Sequence, residues 1–313
     1  KVRPGYRLCE RKVDLIFNPS ASHFAMGKTI ERKELIEKSS SLFNCYYCYV
    51  NLLGNEAGRM IFDGEILLAK EGKLLARNQL LSFQDYQVFS FYLENKPQHL
   101  AHIQPKEWEF AQASALGLYD YLRKSKSKGF VLSLSGGAES STIAVLVSEM
   151  VRRGVEELGV PAFLQKLGST FIPLTNNPVK EITGQLLTTA YQASDNSSFV
   201  TFQSAKFLAE SIGAEFLHWE ITDEVKSYTE KIEKAIGRKL TWKEDDLALQ
   251  NIQARTRSPI IWMLANIKNA LLLSTSNRSE GDVGYTTMDG DTSGSISPIA
   301  GVDKHFVIQF KRK

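Results

Sequence analysis

A chain of 313 residues, 43% hydrophobic and 23% charged, carries enough apolar material for two domains of ordinary size and has the balance of a soluble globular protein. Its 38 basic and 35 acidic residues leave a formal charge of only +3, scattered except at Lys124–Lys128 and Lys311–Lys313, which argues against a general nucleic-acid surface. The opening KVRPGYRLCERKVDLIF lacks the apolar core of a secretory leader, and no apolar run is long enough to span a bilayer. A cytoplasmic protein with no membrane partner is the expectation.

The first hundred residues read as strands: VDLIFNPS, YYCYVNLLG, a hairpin in GRMIFDGEILLAKEGKLLARN turning at Lys70-Glu71-Gly72, and YQVFSFYLEN. Between them GKTIERKELIEKSSSLFN has helical spacing, with Ile30, Leu35, Ile36 and Leu42 available for one face. NKPQHLAHIQPKEW reads as a linker with its two prolines, so a domain break is expected between residues 100 and 101. A helix follows through Trp108, Ala111, Ala115, Leu118 and Leu122. Then come strand Phe130–Leu134, a helix from about Ser140 to Arg153, strand STFIPL, helices in EITGQLLTTAY and SAKFLAESIG, strand EFLHWEIT, a long helix in ALQNIQARTRSPIIWMLANIK and strand ALLLST. Short apolar strands alternating with helices make a doubly wound parallel sheet, whose ligands lie beyond the strand carboxyl ends.

Three cysteines cannot build a disulfide framework. Cys45 and Cys48 form a C-x-x-C. Their strand-like surroundings put positions three apart on opposite faces, which favours two buried thiols over a metal or redox pair.

LSLSGGAESSTIAV is a buried strand entering a Ser/Gly turn and then a helix. The backbone amides of such a turn point into one concavity at the positive end of the helix dipole, which makes an anion site. Neither a Walker loop nor a dinucleotide fingerprint is present. The plain alternative is a strand-to-helix turn capped by serine.

Ser-Gly-Gly-x-Asp-Ser is the pyrophosphate loop of adenylating ATP pyrophosphatases, and this loop resembles it with Glu139 in place of Asp. Taken with NIQARTR (251–257) and LSTSNRSEGDVGYTTMDGDTSGSISPIAGVDK (273–304), the second half resembles the synthetase domain of NAD synthetases. The resemblance implies that Ser133, Leu134, Ser135, Gly136, Gly137, Ala138, Glu139 and Ser140 cradle ATP, with Thr275 and Lys304 also touching it. It implies that Glu139 and Glu280 bind Mg²⁺, and that Asn251, Arg255, Glu280 and Thr287 lie against deamido-NAD. Glu is longer than Asp by roughly 1.5 Å, so Glu139 must fold back or reach Mg²⁺ through water. Arg255 and Arg257 on a solvated helix face, and Asp291 as a turn residue, are the alternatives to a ligand role.

The first half resembles the carboxyl-terminal part of the nitrilase-type glutaminase fused to glutamine-dependent NAD synthetases. The expected architecture is therefore the end of a nitrilase-like α-β-β-α sandwich (1–100) followed by a doubly wound α/β synthetase domain (101–313). The resemblance implies Cys9, in YRLCE, as the glutaminase nucleophile, a buried inert thiol being the alternative, with Ser22 and Lys28 of NPSASHFAMGK on glutamine. The sequence departs from the family in lacking the Glu base and the Lys that precede the nucleophile, and in its abrupt passages near residues 10–13 and 304–308. Segments of a longer native chain are expected to be absent. The implied reaction is ATP-dependent amidation of deamido-NAD to NAD through an adenylate, with ammonia from glutamine, in a homo-oligomer. The alternatives are another adenylating amidotransferase of the GMP or asparagine synthetase type, or a degenerate nucleotide-binding relative.

Overall fold

In the computed structural model, residues 4–56, 58, 60–195 and 197–310 are described. The basic end 311–313 and Arg59 of the expected hairpin lie outside them. The chain forms two compact units, one running up to Tyr121 and including 156–159, the other comprising the remainder. The division falls inside a helix, later than the break expected after residue 100.

The first unit contains α1 (Pro4–Cys9), β1 (Leu15–Ser20), α2 (Lys28–Phe43), β2 (Tyr46–Asn51), β3 (Leu53–Glu56), β4 (Met60–Asp63), β5 (Ile66–Lys70), β6 (Lys73–Arg77), β7 (His99–Leu100) and most of α3 (Lys106–Ser125). Five strands order as β1-β2-β5-β6-β7, and β3 pairs with β4 in a separate ribbon. Strand alternation gives the sheet two apolar faces. Ile36 of α2 packs with Tyr49, Leu67, Ala69 and Leu74 on one. Cys48, Leu68, Leu75 and Ala76 form the other, covered in part by Phe89 and Phe91.

Three sequence expectations change here. Residues 86–95 form no strand; Phe89 and Phe91 pack onto the sheet, whereas Tyr86, Val88 and Tyr92 are exposed. The alternation is real, but it serves a covering segment with no ladder of its own. The linker instead contributes β7, paired in parallel with β6. In α2 only Ile36 of the four expected residues is buried; Ile30, Leu35 and Leu42 are exposed. The inward face is Thr29, Arg32, Ile36, Ser39, Ser40 and Phe43, because Arg32 pairs with two buried acids. Cys45 and Cys48 enter different clusters, as alternation requires, and both are free. Burial pushes the Cys48 thiol up to about 11.

The second unit contains β8 (Phe130–Ser133), α4 (Ala138–Leu158), α5 (Val160–Lys166), α6 (Pro178–Leu186), β9 (Leu187–Ala193), α7 (Phe199–Ile212), β10 (Glu215–Glu220), α8 (Thr222–Ile236), α9 (Asp246–Ile267), β11 (Leu271–Leu273), α10 (Arg278–Asp282) and α11 (Lys304–Phe310). Its four strands are all parallel, in the order β10-β9-β8-β11. The order reverses between β8 and β11, which is where an open α/β sheet leaves a crevice at its carboxyl ends. α9 seals one face through Ile261 and Ala265 against Val131, Ala190 and Leu272.

Two further readings are corrected. STFIPL is irregular, with Ile172 and Leu174 exposed; Pro173 lacks the N–H that a central ladder needs. The strand that occupies the sheet is β9, cut from the expected EITGQLLTTAY helix. α6 stops at Leu186, and all seven residues of β9 are buried. A strand covered on both faces shows no alternation, so its apolar run merges with that of the preceding helix.

Candidate functional site

The Ser/Gly loop leaves β8 at Ser133 and enters α4 at Ala138. Within it the Ser135 amide and hydroxyl meet Ser140 Oγ at 3.3 and 3.1 Å, and the Gly137 amide donates to Ser135 Oγ at 3.2 Å. These serine contacts hold the turn closed. Gly136 has φ 78°, and a Cβ there would stand 2.4 Å from the Thr201 carbonyl oxygen. Only glycine fits.

Across from the loop, Asn277 caps α10. Its side chain accepts from the Glu280 amide at 3.0 Å, and Glu280 Oε2 accepts from the Asn277 amide at 3.4 Å, completing a capping box. The capping contact leaves Glu280 Oε1 turned to Lys304. Lys304 Nζ lies 3.1 Å from Glu139 Oε1 and 3.5 Å from Glu280 Oε1. Asn277 Nδ2 also donates to Glu139 Oε1, at 3.5 Å. The ammonium is half exposed, and its contact with Glu139 raises its pKa. Residues separated by more than 160 positions thus converge beside the loop, with two carboxylates on one cation. Glu139 itself lies in the first turn of α4.

A cavity of about 440 Å³ opens at these strand ends, lined by Ser133, Ser135 and Thr275 together with Gln192, Arg257 and Asp291. Asn251 and Thr287 meet directly, Thr287 Oγ1 donating to Asn251 Oδ1 at 2.9 Å. Arg255 Nε donates to the Met288 carbonyl at 3.0 Å. Gly290 presses on α9: a Cβ would come within 2.9 Å of Ala254 C. The 287–291 loop is therefore laid on α9 beside the cavity. Sequence reasoning left Arg257 as a possible solvated face and placed Gln192 nowhere. Arg257 is partly buried in the cavity wall, where desolvation lowers its pKa against the pull of Asp291.

The residues implied for glutamine are not gathered in the same way. Ser22 is held by Asn51 and Arg32, and Lys28 Nζ donates to the His23 carbonyl at 2.7 Å. Both flank the amino end of α2. Cys9 donates its thiol to the Phe43 carbonyl at 3.4 Å, at the carboxyl end of the same helix. Fifteen helical steps, about 22 Å, separate Lys28 from Phe43. The structure brings together Glu139, Glu280 and Lys304, and Asn251 with Thr287; it does not bring Cys9 to Ser22 and Lys28.

A doubly wound α/β unit with a Ser/Gly loop at the carboxyl end of a strand and a paired-acid, single-lysine junction beside it is the class that fold and site define. The model of the NAD synthase family matches residues 110–313, and the chain belongs to that family. Over 97% of this chain it superposes on a glutamine-dependent NAD(+) synthetase from Cytophaga hutchinsonii, with a TM-score of 0.91 and 54% identity, covering 52% of that chain. A glutamine-dependent NAD(+) synthetase of Oryza sativa subsp. indica is 28% identical over 371 residues, spanning 99% of this chain and 50% of the relative. An Acinetobacter baumannii glutamine-dependent NAD+ synthetase, solved in complex with adenosine diphosphate, shares the fold at TM-score 0.79 and 22% identity. The chain spans about half the length of these relatives. Among the described residues no helix is long and apolar enough to cross a membrane.

Proposed function

We propose that this chain carries the synthetase chemistry of a glutamine-dependent NAD synthetase, the amidation of deamido-NAD to NAD with ATP through an adenylate. The observation that supports this most is the convergence of Glu139, Glu280 and Lys304 beside the Ser/Gly loop. Two acids beside a loop built for anions are out of place unless a cation joins them to the anion. Relatives carry names for this activity, and one of the same fold was solved with adenosine diphosphate.

In this reading the Gly136 amide and the hydroxyls of Ser135 and Ser140 receive the triphosphate at the amino end of α4, the Ser135 and Gly137 amides exchanging their serine partners for it. Asn251, Arg255 and Thr287 hold deamido-NAD on α9, with its nicotinate carboxylate toward the nucleotide. The carboxylate oxygen attacks the α-phosphorus of ATP as the bond to pyrophosphate breaks, giving the mixed anhydride. Lys304 and the loop amides offset the charge on the leaving pyrophosphate. Ammonia then attacks the activated carbonyl, AMP leaves with the bonding pair, and the nitrogen gives up its surplus proton. Glu139 and Glu280 fit Mg²⁺, which takes one or two carboxylates and fills its shell with substrate phosphates and water. When bound, that ion neutralises phosphate charge. The separation of each carboxylate from one ammonium is the observation that makes the pair fit a shared cation.

The first unit is assigned as the carboxyl-terminal part of a nitrilase-like sandwich, with Cys9 as nucleophile and Ser22 and Lys28 on glutamine, and the enzyme as a homo-oligomer. The position of Cys9 at the far end of α2 favours a second reading, in which these residues run the synthetase reaction on free ammonia alone. Pyrophosphate release is measured with deamido-NAD, and separately with xanthosine monophosphate and with aspartate. Activity confined to deamido-NAD is expected, and activity with either other acceptor would move the assignment to another adenylating amidotransferase. Supplying ammonium or glutamine in turn, with Cys9→Ala as the comparison, decides between the two readings. Loss of glutamine-supported turnover alone in that variant favours the two-site enzyme.

A further inference from the structure

The Gln192 side chain is unlike its neighbours on β9. It lies at the carboxyl end of the strand, only 6% exposed, and forms part of the cavity wall beside the phosphate loop. Its amide nitrogen donates to Ser133 Oγ at 3.1 Å, which fixes the rotamer. Its carbonyl oxygen, Oε1, is buried with no hydrogen-bond partner among the described residues. An acceptor buried without a donor is destabilising. At a ligand cavity such an atom has an explanation if the ligand brings the donor.

We propose that Gln192 reads the base of the nucleotide, its Oε1 accepting a hydrogen bond from the 6-amino group of adenine. The inference rests on the nucleotide reading above and adds a specificity-determining residue to it. Ser133 and Gln192 stand on the carboxyl ends of adjacent strands in the cavity wall beside the phosphate loop, within reach of a nucleoside whose triphosphate lies on that loop. Ser133 takes one N–H of the Gln192 amide and so fixes the face to which Oε1, the atom without a partner among the described residues, is turned. Adenine offers it an N–H; guanine, with a carbonyl oxygen at that position, sets acceptor against acceptor. The residue thus favours ATP by attraction and disfavours GTP by repulsion.

The test is calorimetric titration of the full chain with ATP, purine riboside triphosphate (6-amino replaced by hydrogen), 2′-deoxyATP and GTP. It is repeated on Gln192→Met, which keeps length without the acceptor, and on Gln192→Glu, which keeps an acceptor. Deleting the 6-amino group should weaken binding to the unaltered protein by about tenfold, the scale of one neutral hydrogen bond in a dry site. The same deletion should be without effect on Gln192→Met, and Gln192→Glu should retain the preference for ATP. Equal losses in the unaltered protein and Gln192→Met would overturn the proposal while leaving ATP binding intact. Coupling to the 2′-hydroxyl instead would overturn it in favour of a ribose contact. Failure of the unaltered, folded protein to bind ATP would remove the nucleotide reading and the proposal together. The comparison of ATP with purine riboside triphosphate on the unaltered protein stands even if a variant folds poorly.

Discussion

Two clusters in this protein use the same ingredients, two acids and one base, toward opposite ends. In the first unit Arg32 lies 2.5 Å from Asp63 and 2.9 Å from Glu65, with all three side chains at most 6% exposed. Asn51 donates to Asp63 at 2.7 Å, Thr29 hydrogen-bonds Glu65, and Arg32 holds the Ser22 carbonyl at 3.0 Å. Burial raises the Glu65 pKa in spite of these partners. In the second unit Lys304 joins Glu139 and Glu280 with its own side chain 52% exposed. Apart from Arg32 Nε, which has no partner among the described residues, the buried triad bonds within the protein, and it fixes where the Ser22 segment runs. In the second cluster the lysine is half open to water while Glu139 and Glu280 are 17% and 22% exposed, and in the proposed reading it exchanges partners with a charged ligand. Water access, more than residue identity, distinguishes the two clusters.

The contrast breaks most severely if Arg32 can be lost without harm. Arg32→Ala leaves two carboxylates buried without their cation, and a loss of about 3–5 kcal/mol in unfolding free energy is expected. Chemical denaturation checks it, and a loss below about 1 kcal/mol would place the cluster with the open kind. Glu139→Gln tests the other side. It should lower the rate of pyrophosphate formation by about 10²–10³ with the melting temperature unchanged, on the scale of removing one group that stabilises transition-state charge. Glu139→Asp should retain substantial activity, and a near-normal rate with unaltered magnesium requirement in Glu139→Gln would remove the metal role.

The rule extends to a buried neutral group. The Cys48 thiol, pushed up to about 11 from 9.0, disfavours its charged form in the folded state. The folded pKa is raised, so the associated stability is complete below pH 9 and is lost as pH rises toward 11, in total about 2–3 kcal/mol at 1.36 kcal/mol per unit. Unfolding curves of the unaltered protein and Cys48→Val should differ by a constant below pH 8 and diverge above 9. A parallel pair of pH profiles would contradict the burial account. The smallest effect is expected for Lys304→Ala on stability, about 0–1 kcal/mol, as for exposed pairs. A larger loss by thermal melting would mean that the open triad also holds the fold.

The sequence by itself determined the local chemistry of the second unit. Strand, glycine turn and helix around Ser135–Gly137 are local, and so is the Asn277–Glu280 capping box, since each depends on residues within a few positions. Tertiary structure decided which elements compete for the sheet and which charges meet. LTTAYQA became a central strand because both its faces are covered, and this put Gln192, which the sequence left without a place, in the cavity wall. The buried face of α2 turned on Arg32 finding Asp63 and Glu65 more than 30 positions away, and so overrode the apolar stripe of Ile30, Leu35 and Leu42. Lys304 reached Glu139 only through the pairing of β8 with β11, which sets the two loops side by side. Periodicity reports a residue's neighbours along one element, whereas burial and ion pairing depend on surfaces that exist only after the elements have packed.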